Sequence, residues 1–280
     1  MIDKFLEAFI QNAITEDIGD GDHSSLSCIP KEATGKAQLI LKQKGILAGI
    51  EIAKKVFTAI DPKLKFEQFL FDGNEINIGD RAFIVEGNIH SILKSERLIL
   101  NIMQRMSGIA TTTRKYLNLV RGTKTKILDT RKTTPGIRFL EKLAVKIGGG
   151  ENHRMGLYDM IMLKDNHIDF AGGIEPAITK AKNYIEINKK NIKIEIEARN
   201  ITEVKEILRV GGVDRIMLDN FNYENTREAV RLIDNTYETE SSGGINSETI
   251  RGYAECGVDF ISVGALTHQI KSLDMSLKAI

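Results

Sequence analysis

The chain has 280 residues, 42% hydrophobic and 28% charged, a balance ordinary for a globular protein and enough for one large domain or two ordinary ones. Thirty-nine basic side chains against 38 acidic ones leave a formal net charge of +1, and the absence of a long basic run argues against a nucleic-acid surface. Any cationic cluster is therefore local, and a local cluster points to a small anionic ligand.

The opening stretch, "MIDKFLEAFIQNAITEDIGD", combines five acids with a helical apolar period, so a helix is expected there rather than a signal peptide. No apolar run approaches membrane-spanning length. The two cysteines, Cys28 and Cys256, show no CxxC or metal spacing, which reads as two free thiols in a reducing, cytoplasmic setting. After the Gly/Asp-rich loop "DIGDGDHSS" come a strand-like stretch at 36–49 and a helix at 50–61. Two short strands follow on either side of Gly87, "RAFIVE" (81–86) and "NIHSIL" (88–93). This mixture predicts an antiparallel sheet with helices on one face. Ser95, Glu96 and Arg97 then open a long amphipathic helix, with Leu98, Ile102, Met106 and Ile109 at helical spacing.

From residue 126 the rhythm changes. "KILDT", "MIMLKDNH", "IKIEIEA", "DRIMLDN", "TYETESSGG" and "FISVGAL" are short β-type runs, most of them separated by helical segments such as "NYENTREAVRLID" and "NSETIRGYAECG". Repeated strand–helix alternation predicts parallel βα units, and the simplest closed form is a β/α barrel. The expected architecture is α/β: an incomplete parallel β/α barrel of about six strands, joined to an N-terminal mixed α/β sandwich. The barrel is expected over 106–265 and the N-terminal domain over 1–105, with 266–280 packing back on the latter.

Each of these strands ends in polar groups. In order come Asp129-Thr130-Arg131-Lys132, Lys164-Asp165-Asn166-His167, Glu197, Asp219-Asn220, Ser241 to Gly244, and Gly264. In a β/α barrel such strand ends share one mouth, the usual place of the active site. Glycines after the last two strands suit a phosphate, because the backbone can approach closely and "SSGGI" runs into a helical pattern with free N–H groups. Gly243, Gly244 and Gly264 serve equally well as tight turns; their place in the last two units favours phosphate.

In "IKIEIEARN" the alternation sets Lys193, Glu195 and Glu197 on one side and Ile192, Ile194 and Ile196 on the other. Glu197 then sits at the mouth with Glu195 a layer deeper, and Asp219 takes the matching place on the next strand. Two such carboxylates suit ribose hydroxyls, or Mg²⁺ carried with substrate phosphates; the bland alternative is a buried ion pair to Lys164 or Arg131, more so for Glu195. The cations pose the sharper problem. "LDTRKTTPGIR" delivers Arg131, Lys132 and Arg138 with only Asp129 nearby in sequence, and "GGGENHRMGLYDMIMLKDNH" adds His153, Arg154, Lys164 and His167. His153 alone reads as structural or solvated. Together the cations call for a ligand with several negative charges, carboxylates for the Arg forks and phosphates for the Lys point charges.

The runs "ERLILNIMQRMSGIAT", "LDTRKTTPGIRFLEKLAVKIGGGENHRMGLYDMIMLKDNH", "IEIEARN", "IMLDN", "SSGGI" and "SVGAL" closely resemble the quinolinate phosphoribosyltransferase family, in order and over nearly the whole chain. The resemblance implies condensation of quinolinate with phosphoribosyl pyrophosphate to nicotinate mononucleotide, pyrophosphate and CO₂, with Mg²⁺, in NAD biosynthesis. It implies that Arg131, His153, Arg154 and Lys164 line the quinolinate pocket, with Arg97 donated by the second subunit of a homodimer. Lys132 faces the pyrophosphate substrate and Thr130 joins the substrate-binding set. Glu197 and Asp219 hold ribose hydroxyls and metal, and Ser242, Gly243, Gly244 and Gly264 cradle the 5′-phosphate. Lys132, Glu197 and Asp219 are then the catalytic set. The sequence departs from the family at His23-Ser24, where a Thr-Thr-like pair is expected. No role attaches to His167, Arg105, Arg138 or the 19–25 loop. The rival readings are a pyrophosphorylase-like relative associated with molybdenum transport and an inactive anion-binding module.

Overall fold

The computed structural model describes residues 2–280, which cluster into two compact units. The first takes in the residues up to Arg114, together with 133–149 and 266–280; the second comprises 115–132 and 150–265.

The first unit starts with α1 (Ile2–Ile18), α2 (His23–Cys28), β1 (Thr34–Leu41), β2 (Gly45–Ile46), α3 (Ile50–Ile60), β3 (Lys65–Gln68), β4 (Glu75–Ile76) and β5 (Arg81–Asn88). Strand β1 buries Ala37, Leu39 and Leu41 in alternation. It pairs antiparallel with β5, which carries β3 on its far side, and the C-terminal residues Met275–Ala279 return to pair with the other edge of β1. Helix α3 turns Val56 and Phe57 inward, and Phe57 meets Phe83 of β5 edge-on with ring centroids 5.9 Å apart. The 19–25 loop is partly helical: Asp22 caps α2 by accepting the N–H (3.2 Å) and the hydroxyl of Ser25.

Helix α4 (Ile89–Leu119) bears on two expectations. "NIHSIL" is its first turns, not a strand. Asn88 caps them by accepting the Ser91 N–H (3.2 Å), and Ile92, Ser95, Ile99 and Met103 are buried at helical spacing. The second concerns continuity: α4 runs unbroken through residue 105, and the compact units divide at Arg114 and around 133–149, with 266–280 grouped with the first. Gly108 is required within α4: a Cβ there would stand 2.4 Å from the carbonyl oxygen of Lys271.

The remaining elements are β6 (Lys126–Leu128), α5 (Arg138–Gly148, part of the first unit), β7 (Met160–Leu163), α6 (Asp165–Ala171), α7 (Ile174–Ile187), β8 (Lys193–Ala198), α8 (Ile201–Val210), β9 (Arg215–Asp219), α9 (Tyr223–Ile233), β10 (Glu238–Ser242), α10 (Ile250–Ala254), β11 (Phe260–Ser262), α11 (Ala265–His268) and β12 (Met275–Ala279). All six strands expected after residue 126 are present. They form one parallel sheet in the order β6-β11-β10-β9-β8-β7, and no strand pairing joins β6 to β7, so among the described residues the barrel stays open. The register sets Leu163 beside Ile196, Ala198 beside Leu218, Asp219 beside Ser242, and Ser262 beside Leu128. All six strands therefore finish at one edge of the sheet.

Candidate active site

That edge collects the residues singled out from the sequence. Lys164 follows β7, Glu197 is the penultimate residue of β8, Asp219 closes β9, Ser242 closes β10, and Gly264 stands two residues beyond β11. Thr130, Arg131 and Lys132 follow β6. Arg97 is exposed on α4 in the first unit.

The ion pairing of the two glutamates differs from expectation. Glu197, not Glu195, pairs with Lys164, Nζ to Oε1 2.7 Å, and also accepts the Asp165 N–H (3.2 Å). The register explains it: Leu163 is level with Ile196, so Lys164 is level with Glu197. Asp219 lies close enough to feel this group. Burial raises its pKa, the Glu197 charge adds to the rise, and Asn220 and Lys164 pull the other way.

Glu195 lies a layer deeper in a closed charge lattice. Its carboxylate is 2.9 Å from Nε2 of His153, which is 3.5 Å from Glu240, and Arg215 donates to Glu240 (2.8 Å) while stacking 4.0 Å from the Phe260 ring centroid. Asp129 is fully buried. It accepts the His153 N–H (2.9 Å) and the Asn152 amide, and so fixes the "NHR" segment. His153, Glu195 and Glu240 have the spacing of a metal-binding set. Arg215 is shared between Glu240 (2.8 Å) and the less buried Glu238 (3.1 Å), and a proton on the Glu195–Glu240 pair relieves the repulsion between these two buried carboxylates.

Burial lowers the His153 pKa, while the Glu195 and Glu240 carboxylates beside its ring pull it up. Yet its Nδ1 accepts the Arg154 N–H (2.7 Å), a bond a doubly protonated ring would lose. We therefore assign the titrating proton of this lattice to Glu195, whose carboxyl is raised to about 7 by burial and by the Glu240 charge. A carboxyl raised on folding contributes stability that is complete below its unfolded pKa and lost as pH climbs through the folded value. Melting temperature should accordingly fall as pH rises from about 4.5 to 7 and level off above that, and Glu195→Gln should flatten that fall. Calorimetry across this range checks it; parallel slopes in both proteins would place the proton elsewhere.

Arg154 is 8% exposed and donates to the Met160 carbonyl (3.3 Å). Its pKa is lowered by burial and then by the positive charge of Arg131. Arg131 and Lys132 are exposed, and the Lys132 N–H donates to Thr130 Oγ1 (3.0 Å). The other cations counted in the sequence are engaged elsewhere. His167 accepts the Lys164 N–H at the start of α6 (3.0 Å), Arg138 donates to Thr133 (2.9 Å), and Arg105 binds Glu141 (2.7 Å).

Gly243 and Gly244 adopt φ of +96° and +63°. The helix expected directly after them begins only at Ile250 and has five residues, because Asn246 takes the N–H groups of Glu248 (2.9 Å) and Thr249 (3.2 Å) into a turn first. Any anion held here meets a left-handed glycine loop rather than a helix terminus. Arg215 and Glu240 were not among the residues singled out, and Asp129 and Asn220 were named at strand ends without these roles. The alternation used for Glu195 and Glu197, extended to "ETESS", would have found Glu240.

A parallel half-open barrel with clustered guanidiniums, paired carboxylates and a glycine loop at one edge defines an enzyme-like barrel protein for small polyanions. Two family descriptions match the chain: the quinolinate phosphoribosyl transferase N-terminal domain over 22–107 and its C-terminal domain over 109–278. The chain belongs to the quinolinate phosphoribosyltransferase family. It is 44% identical over 288 aligned positions to quinolinate phosphoribosyltransferase [decarboxylating] 1b of Nicotiana tabacum, covering 98% of this chain and 82% of that protein. It is 40% identical to a probable nicotinate-nucleotide pyrophosphorylase [carboxylating] of Bacillus subtilis, covering 97% and 92%. The solved nicotinate-nucleotide pyrophosphorylase of Francisella tularensis superposes with a TM-score of 0.93 at 38% identity, covering 99% of this chain and 96% of that one.

Proposed function

We propose that the chain transfers the phosphoribosyl group of phosphoribosyl pyrophosphate to the ring nitrogen of quinolinate, releasing pyrophosphate and CO₂ and forming nicotinate mononucleotide for NAD biosynthesis. The observation that carries this reading is the sheet edge that gathers Arg131, Lys164, Glu197, Asp219 and the Gly243-Gly244 loop, together with the buried Arg154, whose pKa the Arg131 charge lowers; a dicarboxylate would neutralise these cations. In this reading Arg131, Arg154 and Lys164 bind the quinolinate carboxylates, His153 orients Arg154 from below, and Thr130 and Lys132 meet the pyrophosphate. Ser242, Gly243, Gly244 and Gly264 enclose the 5′-phosphate.

Glu197 and Asp219 take the ribose hydroxyls. Their hard carboxylate oxygens, close enough for the Glu197 charge to raise Asp219, fit Mg²⁺. When bound, the ion would neutralise charge building on the departing pyrophosphate. Lys132 and the arginines hold the two substrates in line while the ribose carbon becomes oxocarbenium-like and the ring nitrogen attacks. The product ring is a pyridinium, so the electron pair left at C2 as CO₂ departs is stabilised by the adjacent positive nitrogen, and a proton then replaces the carboxylate. The substrate supplies its own electron sink, and the protein supplies position and charge.

Arg97 completes the quinolinate pocket from the partner of a homodimer in this reading, which rests on the family resemblance and on its exposed place on α4. The cellular setting we infer is the cytoplasm, on the strength of two cysteines outside any disulfide; among the described residues no helix is long and apolar enough to cross a membrane.

The test measures nicotinate mononucleotide formed from the two substrates, first with wild type and then with Arg97→Ala and Arg131→Ala, alone and reassociated as a mixture. Random pairing makes about half the dimers mixed, each with one site holding both arginines, so roughly a quarter of sites should recover. No product from wild type sinks the function. No recovery in the mixture, while wild type treated alike regains activity, removes the shared site.

A further inference from the structure

Asn220 stands in the left-handed region, φ +55°, at the point where β9 ends and two parts of the site meet. Its backbone N–H donates to the Ser242 carbonyl (2.9 Å), continuing the β9–β10 register by one residue beyond Asp219. Its side-chain amide turns back and donates to Oδ2 of Asp219 (2.8 Å). On the other side it fills the space above Gly243. A Cβ on Gly243 would lie 2.2 Å from Asn220 Oδ1, 2.5 Å from its Cγ and 2.9 Å from its backbone nitrogen. Gly243 therefore lacks a side chain for two reasons: its own φ of +96°, and the Asn220 amide pressed against its α-carbon.

We propose that Asn220 is a positioning residue that couples the Asp219 carboxylate to the Ser242–Gly244 loop, fixing the distance between the groups that take the ribose and those that take the 5′-phosphate. This assignment rests on the function proposed above. Asparagine suits the place because it tolerates the left-handed conformation better than other non-glycine residues and offers both a donor and a flat amide. The amide donor holds Asp219 in one rotamer, and the amide face limits how far the glycine loop can move inward. The coupling concerns one substrate only, since Arg131 follows β6 and Arg154 lies in the segment before β7, away from the β9–β10 ends.

Two substitutions separate this role from mere backbone support. Asn220→Gly keeps the left-handed turn and removes the amide; Asn220→Asp keeps shape and turn preference but sets a second carboxylate against Asp219. Loss of a hydrogen bond to a charged group should raise the KM for phosphoribosyl pyrophosphate on the order of tenfold in Asn220→Gly, with the quinolinate KM near wild type. Asn220→Asp should be the worse of the two, because like charges then face each other. A residue that only supports the backbone would be satisfied by either variant. Hydrogen–deuterium exchange of the segment around 240–246, measured without any substrate, should be faster in both variants than in wild type. An unchanged exchange rate, or quinolinate and phosphoribosyl pyrophosphate KM values rising together, overturns the coupling. If wild type forms no nicotinate mononucleotide the function fails first, and the exchange measurement still decides whether Asn220 restrains the loop.

Discussion

Nicotinate should be used about a hundred- to several thousand-fold less efficiently than quinolinate, compared as kcat/KM at saturating phosphoribosyl pyrophosphate. The reason lies in Arg154, buried and already depressed in pKa by its surroundings and by Arg131. A ligand with one carboxylate in place of two leaves a buried guanidinium unmatched, which costs about 3–5 kcal/mol, and each 1.4 kcal/mol is tenfold. Lys164 does not soften the penalty, because Glu197 already holds it at 2.7 Å. Measured efficiencies within tenfold of each other would mean that Arg131 and Arg154 do not face the second carboxylate.

The second large effect concerns stability. Glu141 of α5 is 1% exposed and accepts from Arg105 Nε (2.7 Å) and Nη2 (2.5 Å) and from the Thr134 N–H (3.1 Å). Arg105 Nη2 also reaches Thr134 Oγ1 (2.9 Å) and the Thr267 carbonyl (3.2 Å). The partners are unequal, since the Arg105 side chain is 31% exposed. Removing the arginine strands a fully buried carboxylate, so Arg105→Ala should cost about 3–5 kcal/mol. Glu141→Ala strands a cation that water partly reaches and should cost about 1–3 kcal/mol. The double variant should lose less than the sum of the two. Urea unfolding of the three variants decides; equal costs for the two single changes, or simple additivity, would show that the pair is not coupled as the geometry implies.

The parallel strands were legible because each is a short apolar run closed by polar residues, and that pattern survives in any register. "NIHSIL" has the same composition but was settled by its neighbour: the Asn88 cap starts a helix that Ile92, Ser95 and Ile99 continue into the interior. The Asp129 contact was hidden for a different reason. Asp129 is the nearest acid to Arg131 in sequence, but its bond to the His153 backbone depends on Glu151 lying beside Leu128 in the sheet. The pairing of His153, Glu195, Glu240 and Arg215 was equally hidden, since it needs the stagger of three strands and not the spacing along one. Mouth residues such as Glu197 and Asp219 were readable because parallel strands deliver their ends together.

The sheet order has a consequence for how the chain comes together. Strand β6 finds its partner only in β11, Lys126 beside Phe260, and β1 is flanked on one edge by β12, Ala37 beside Ala279. Both sheets thus wait for the late strands β11 and β12, whereas β7 to β10 can zip up one after another as they emerge from the ribosome. Such high-contact-order closure is slow and leaves strand edges uncovered in the meantime. A nascent chain stalled before β11 would hold a four-stranded ribbon with the β10 edge uncovered until β11 arrives.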